Sequence, residues 1–141
     1  MDRVFSQVFR VQGGEMYNAG KASAKIKSIL KQLGVSAVII RRVAIAAYEA
    51  EMNVVMYARR ASITFEVSPE QIRIIIDDEG PGIPDVELAM QEGYSTATQE
   101  MHEMGFGAGM GLPNIKKNAD SLKIESTVGK GTHLVMTIDI N

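Results

Sequence analysis

The sequence predicts an α+β fold in which helices and a β-sheet form a two-layer sandwich. Apolar residues recur at helical spacing through most of residues 17–57. They instead alternate with polar residues over 63–76 and again over 122–140. Helices and strands are therefore grouped along the chain rather than strictly alternating, which favours a sandwich over a doubly wound parallel sheet.

The first half of the chain predicts one strand followed by two helices. Residues 4–11 (VFSQVFRV) are typical of a strand. The next apolar pattern predicts a helix over 17–33 that ends at Gly34. Ser36 is a suitable N-terminal cap for a second helix that reaches about Tyr57.

The second half predicts two hairpins separated by a long glycine-rich segment. A connection of that length inside a compact domain is expected to be functional, because long structureless loops are uncommon. The predicted elements are, in order, a hairpin over 63–76, a loop over 79–111 with a short helix at 85–91, a helix at 113–119, and strands at 122–128 and 133–140.

Length and composition predict one soluble domain spanning residues 1–141. The formal charge of -2 provides no basic field for binding nucleic acid. The absence of cysteine excludes a disulfide scaffold and fits a cytoplasmic location. We see neither the pattern of a signal peptide nor an uninterrupted apolar run long enough for a membrane span, so no membrane partner is expected.

Two polar residues lie on the edge of the apolar stripe of the second predicted helix. Glu49 and Asn53 are four residues apart and present their side chains together, whereas Glu51 points roughly the opposite way. The pair either marks the solvent boundary, the simpler interpretation of this helix alone, or faces a ligand cavity. A carboxylate can take a proton from an attacking hydroxyl, and an amide oxygen is a suitable ligand for Mg²⁺.

An acidic strand end is followed by glycines in the segment DDEGPGIPD. A carboxylate such as Asp78 can accept a hydrogen bond from an exocyclic amine. Gly80 and Gly82 allow a flat ring to approach the backbone, and Ile83 can supply an apolar wall. The alternative is an ordinary acidic turn, but the second glycine-rich loop farther along favours binding.

The segment GFGAGMGLPNIKK places four glycines at two-residue spacing before a predicted helix. Free backbone N–H groups and the positive end of a helix dipole together form an anion site. The spacing fits neither the dinucleotide fingerprint nor the P-loop, so we expect a phosphate site of another kind.

In this order, these features resemble the GHKL ATPase superfamily. The resemblance covers about residues 15–140, and residues 77–85 and 89–96 are most similar to the anti-sigma-factor serine/threonine kinases of stress-signalling switches. It implies helices on one face of a mixed sheet and a lid over about 84–104. The matching boxes are the helical E-x-x-x-N at 49–53, D-x-G-x-G at 78–82, the glycine-rich box at 105–111 and G-x-G-T at 129–132.

The resemblance implies a role for each matched residue. Glu49 is similar to the general base, Asn53 to the Mg²⁺ ligand, and Asp78 to the adenine reader, with Thr132 supporting it. The further nucleotide contacts that it implies are Gly80, Gly82, Ile83, Ser95, Thr96, Gly105, Gly107, Gly109, Met110, Gly111 and Leu112.

The function implied by the resemblance is an ATP- and Mg²⁺-dependent serine/threonine protein kinase. It would regulate a sigma factor or a stress-signalling pathway by phosphorylating an antagonist-type partner protein on Ser or Thr. One alternative is a nucleotide-dependent binding module that sequesters a sigma factor or activates a phosphatase, with little kinase activity. Another is a plain ATP hydrolase or chaperone-like motor. The sequence leaves open whether the chain forms a homodimer.

Overall fold

The computed structural model describes residues 5–91 and 111–140. Its helices and strands follow the order predicted for them. The strands are β1 (Phe5–Gln12), β2 (Arg60–Val67), β3 (Gln71–Glu79), β4 (Ser121–Thr127) and β5 (Gly131–Asp139). The helices are α1 (Lys21–Gln32), α2 (Ala37–Tyr57), α3 (Val86–Ala89) and α4 (Gly111–Asn118), with a 3-10 turn at Met16–Asn18.

The strands form one sheet in the order β1-β2-β3-β5-β4, with helices covering one face. The period-2 pattern explains the layer, since Ile63 and Phe65 of β2 are buried beside their register partners Ile76 and Ile74 of β3. Met136 of β5 continues the same buried row. The predicted α+β two-layer architecture is confirmed.

All four strand pairings in the described part of the chain are antiparallel, so the expectation of a mixed sheet is wrong. β3 and β4 do run in the same direction, but they are not neighbours. The hairpin that follows β4 folds β5 back between them. Every strand therefore lies beside strands of opposite direction.

Helix α2 is the centre of the helical layer and packs against both α1 and α4. Its predicted cap is confirmed, because the Ser36 side chain accepts a hydrogen bond from the Ile39 N–H at 3.4 Å. Gly34 ends the preceding helix with a φ of 76°, a value that favours glycine. None of the helices in residues 5–91 and 111–140 is both long and apolar enough to cross a bilayer.

The first helix begins later than its apolar pattern predicts, at Lys21 rather than Tyr17. Gly20 has a φ of 93° and breaks the helix there. The buried carboxylate of Glu51 on α2 supplies the missing cap. It accepts hydrogen bonds from three backbone N–H groups at the start of α1: Gly20 at 3.0 Å, Ala22 at 3.3 Å and Ser23 at 2.9 Å.

Candidate functional site

Glu49 and Asn53 face the beginning of α4 and are half-buried. A Cβ atom on Gly111, the first described residue of α4, would lie 3.1 Å from Asn53 Oδ1 and 3.5 Å from Glu49 Oε2. The bare glycine backbone therefore lies directly against both polar groups. The pair therefore faces the first described residue of α4 rather than open solvent alone, and a ligand cavity beside it stays a prediction.

The pKa of Glu49 depends on a residue of α4 that the sequence did not single out. Burial raises the pKa of Glu49, and a hydrogen bond from the Asn114 side chain opposes that rise. Asn114 lies three residues after Gly111, on the same side of α4. Its identity alone gave no signal, because an asparagine within a helix is more often at the surface.

A second group of predicted residues lies where β3 and β5 pair. The backbone N–H of Thr132 donates to Asp78 Oδ1 at 3.0 Å, across the register pair that these residues form. Asp78 also pairs with Ala61, which is buried in the core, so its side chain is on the helix-covered face of the sheet. The two residues that resemble the adenine reader and its support are thus in direct contact.

Burial and neighbouring groups shift the pKa of the Asp78 carboxyl group. Its half-buried position raises the pKa of the carboxyl group, the hydrogen bond from Thr132 lowers it, and the neighbouring Asp77 raises it again. The net direction is upward. A hydrogen-bond donor that approached this carboxylate would favour its ionised form.

The loop after β3 is held against the hairpin between β4 and β5. Gly82 has a φ of 76°, and a Cβ atom there would lie only 2.5 Å from the Thr127 carbonyl oxygen. The next residue, Ile83, donates its backbone N–H to Ser126 Oγ at 2.7 Å. Ser126 Oγ is in turn 2.8 Å from Thr132 Oγ1. Sequence analysis missed Ser126, which links the Ile83 loop to the residue that contacts Asp78.

Some of the remaining predicted nucleotide contacts lie within the described residues, and the others lie outside them. Gly80 lies beside Asp78, since a Cβ atom there would be 3.4 Å from Asp78 Oδ1. Leu112 is buried in the core, and Ile83 packs against that core. The predicted residues that lie outside the described ranges are Ser95, Thr96, Gly105, Gly107, Gly109 and Met110.

The chemistry available at the α2–α4 contact is that of hard oxygen ligands and a proton acceptor. The described residues contain no group of three His, Cys, Asp or Glu side chains that could hold a metal ion. The side-chain oxygen of Asn53 is a hard oxygen group of the kind that Mg²⁺ binds. Mg²⁺ suits such a site, because it commonly keeps several waters and binds one or two protein groups together with phosphates.

Comparison with known proteins matches this chain to one family of ATPase domains and to two kinds of relative. The family described as "Histidine kinase-like ATPase domain" matches residues 15–138. The serine/threonine-protein kinase RsbT of Bacillus subtilis (strain 168) is 32% identical over 112 residues, covering 77% of this chain and 78% of that protein. An anti-sigma F factor of Clostridium novyi (strain NT) is 30% identical over 125 residues, 84% of each chain. One of Thermoanaerobacter sp. (strain X514) is 42% identical over 71 residues, 50% of this chain and 46% of that protein.

Among solved structures, a mycobacterial sensor histidine kinase, MprB, aligns with a TM-score of 0.57. The alignment covers 96% of this chain and 97% of that chain at 14% sequence identity. This likeness shows a shared fold.

Proposed function

Because the chain belongs to the histidine kinase-like ATPase family, we propose that it is an ATP-dependent serine/threonine protein kinase. Its acceptor would be an antagonist-type protein in a pathway that controls a sigma factor or a stress response. The contact of Gly111 with Glu49 and Asn53 carries the proposal, because it sets the start of α4 against a proton acceptor and an amide ligand. Relatives named as a serine/threonine kinase and as anti-sigma F factors support it.

The nucleotide would be bound from two sides. Asp78, supported by Thr132, would accept a hydrogen bond from the exocyclic amine of adenine, with Gly80 and Gly82 against the ring. The backbone N–H groups at the start of α4 would donate to phosphate oxygens, as helix N-termini commonly do. The predicted contacts at 95–96 and 105–110 remain part of this proposal.

The transfer step requires little covalent chemistry from the chain. Glu49 would accept the proton of the Ser or Thr hydroxyl while the hydroxyl oxygen bonds to the γ-phosphorus and the bond to the β,γ-bridging oxygen breaks. Asn53 is the residue that would hold Mg²⁺, through its side-chain oxygen Oδ1. The metal, when bound, neutralises charge on the phosphate oxygens.

Transfer of ³²P from γ-labelled ATP tests this function. The chain is incubated with Mg·ATP, proteins that it retains are recovered, and their phosphorylated residues are mapped. We expect label on Ser or Thr of one partner. Glu49→Gln should reduce transfer about 10²- to 10⁴-fold while ATP affinity stays nearly intact. Equal transfer by this variant would show that Glu49 is not the base.

A second candidate function is a nucleotide-dependent binding module, which the anti-sigma F factor relatives favour. In that case the nucleotide sets the shape of a binding surface and no phosphate reaches the partner. Nucleotide-dependent retention of a partner that carries no label, with wild-type chain and Glu49→Gln alike, would select this alternative. Rapid phosphate release without any partner would instead indicate a plain ATP hydrolase.

A further inference from the structure

Three polar side chains form one row across the sheet at the proposed adenine site, which is the site of Asp78 and Thr132. Ser126 of β4 is the register partner of Thr132 of β5, and Thr132 is the register partner of Asp78 of β3. The next row on the same face consists of apolar residues of the core: Ile124, Leu134 and Ile76. The polar row therefore begins where the apolar core ends, and Ser126 is its one member without a role in the proposed function.

The Ser126 hydroxyl is the point at which this row meets the loop after β3. Its oxygen accepts the Ile83 N–H at 2.7 Å and lies 2.8 Å from Thr132 Oγ1. Its hydrogen can be donated to that oxygen or to the Gly131 carbonyl oxygen at 3.3 Å. Both acceptors lie at the start of β5, so either arrangement connects the loop to the strand that contacts Asp78.

We propose that Ser126 is a positioning residue for the adenine site. A hydroxyl both accepts and donates, so Ser126 can hold the Ile83 loop at a fixed distance from Thr132 and Asp78 before the nucleotide arrives. Such pre-organisation raises affinity because less freedom is lost on binding. The effect on nucleotide binding rests on the proposed function, whereas the effect on the loop can be measured without any nucleotide.

The first measurement is amide hydrogen exchange followed by NMR, without nucleotide. In Ser126→Ala the Ile83 N–H loses its acceptor, so its exchange should be about tenfold faster relative to a core amide such as that of Ile74. Ser121→Ala is the matched control. Ser121 also lies on β4, and its hydroxyl is likewise hydrogen-bonded to that of its register partner, Thr137, at the far end of the same strand pair. This control should leave the exchange of Ile83 unchanged.

The second measurement compares calorimetric binding of Mg·ATP and of adenosine with the kinetics of phosphate transfer. Ser126→Ala should weaken the binding of both compounds about 5- to 10-fold, since adenosine carries the ring but no phosphate. KM for ATP should rise by the same factor while kcat stays near the wild-type value. Ser126→Thr keeps the hydroxyl and should restore most of the affinity. If Ser126→Ala does not fold, Ser126→Cys takes its place in both measurements, because a thiol of similar size forms weaker hydrogen bonds.

The outcomes separate this inference from the proposed function. Unchanged exchange of Ile83 in Ser126→Ala overturns the inference, even if the chain is a kinase. Faster exchange with unchanged affinity for ATP and adenosine also overturns it, because the loop would then not control binding. An equal loss of affinity in Ser121→Ala overturns it as well, since the effect would not be specific to the adenine site. Absence of ATP and adenosine binding by the wild-type chain overturns the proposed function, while the exchange still decides whether Ser126 holds the loop.

Discussion

Replacing Glu51 by glutamine should destabilise the fold, although the two side chains have nearly the same shape. Glu51 is 1% exposed, and its two oxygens accept the three N–H groups at the start of α1. Glutamine keeps one oxygen. If that oxygen stays on Gly20 and Ala22, the new amino group faces the Ser23 N–H; the opposite orientation loses two bonds.

The size of the effect follows from these bonds. A hydrogen bond to a charged group contributes about 1.5–3 kcal/mol and a neutral one about 0.5–1.5 kcal/mol. One bond is lost and two are weakened, which together cost about 4 kcal/mol. Removal of a buried charge offsets about 1 kcal/mol of that cost. The free energy of unfolding should therefore fall by about 3 kcal/mol, and the Tm by on the order of 10 °C for a chain of this size.

Urea unfolding followed by circular dichroism measures this change, and Glu49→Gln is the matched control. Glu49 lies two residues away on the same helix, but burial already penalises its charge, so the control should be as stable as the wild type or more so. If the free energy of unfolding of Glu51→Gln lies within about 1 kcal/mol of the wild-type value, the order of one neutral hydrogen bond, the carboxylate is not what anchors α1.

Three further predictions concern the site. The raised pKa values of Glu49 and Asp78 mean that the folded chain binds protons more tightly than the unfolded chain, so stability without nucleotide should decline as pH rises from 3.8–4.5 through the raised values. Asp78→Asn should weaken that decline in urea titrations and reduce ATP affinity about 10- to 100-fold. An unchanged dependence of stability on pH would contradict the raised pKa of Asp78. Gly111→Ala should preserve the Tm but weaken Mg·ATP binding in calorimetry, because the new methyl group presses on Asn53; unaltered binding would place the nucleotide elsewhere. Gly82→Ala should lower stability by about 1–3 kcal/mol, since it adds both strain and a backbone clash, and an unaffected Tm would argue against this loop conformation.

Local hydrophobic periodicity was sufficient to predict the central hairpin and the directions in which side chains of α2 point. The alternation around Ile63 and Ile74 predicted the central hairpin because every second side chain of a strand faces the same layer. The 100° step of a helix also predicted that Glu49 and Glu51 face different neighbours. One contacts α4 and the other caps α1.

The parts that sequence did not reveal depend on packing between distant segments. The late start of α1 requires Glu51, which is 28 residues or more from the N–H groups that it binds. The contact of Asn114 with Glu49 and that of Ser126 with Ile83 likewise join elements whose relative positions no local pattern encodes. Strand order belongs to the same class, because a period-2 pattern fixes a face but not a neighbour.

Three carboxylates on the helix-covered side of the sheet differ in how completely the chain itself satisfies them. Glu51 has three backbone donors and is fully buried, so its role is complete within the fold. Glu49 and Asp78 are half-buried, and burial outweighs the hydrogen bonds that each accepts, so both pKa values are raised. Groups that are costly to the folded state without a ligand are typical of functional sites. This contrast supports the proposal that Glu49 and Asp78, rather than Glu51, contact a ligand.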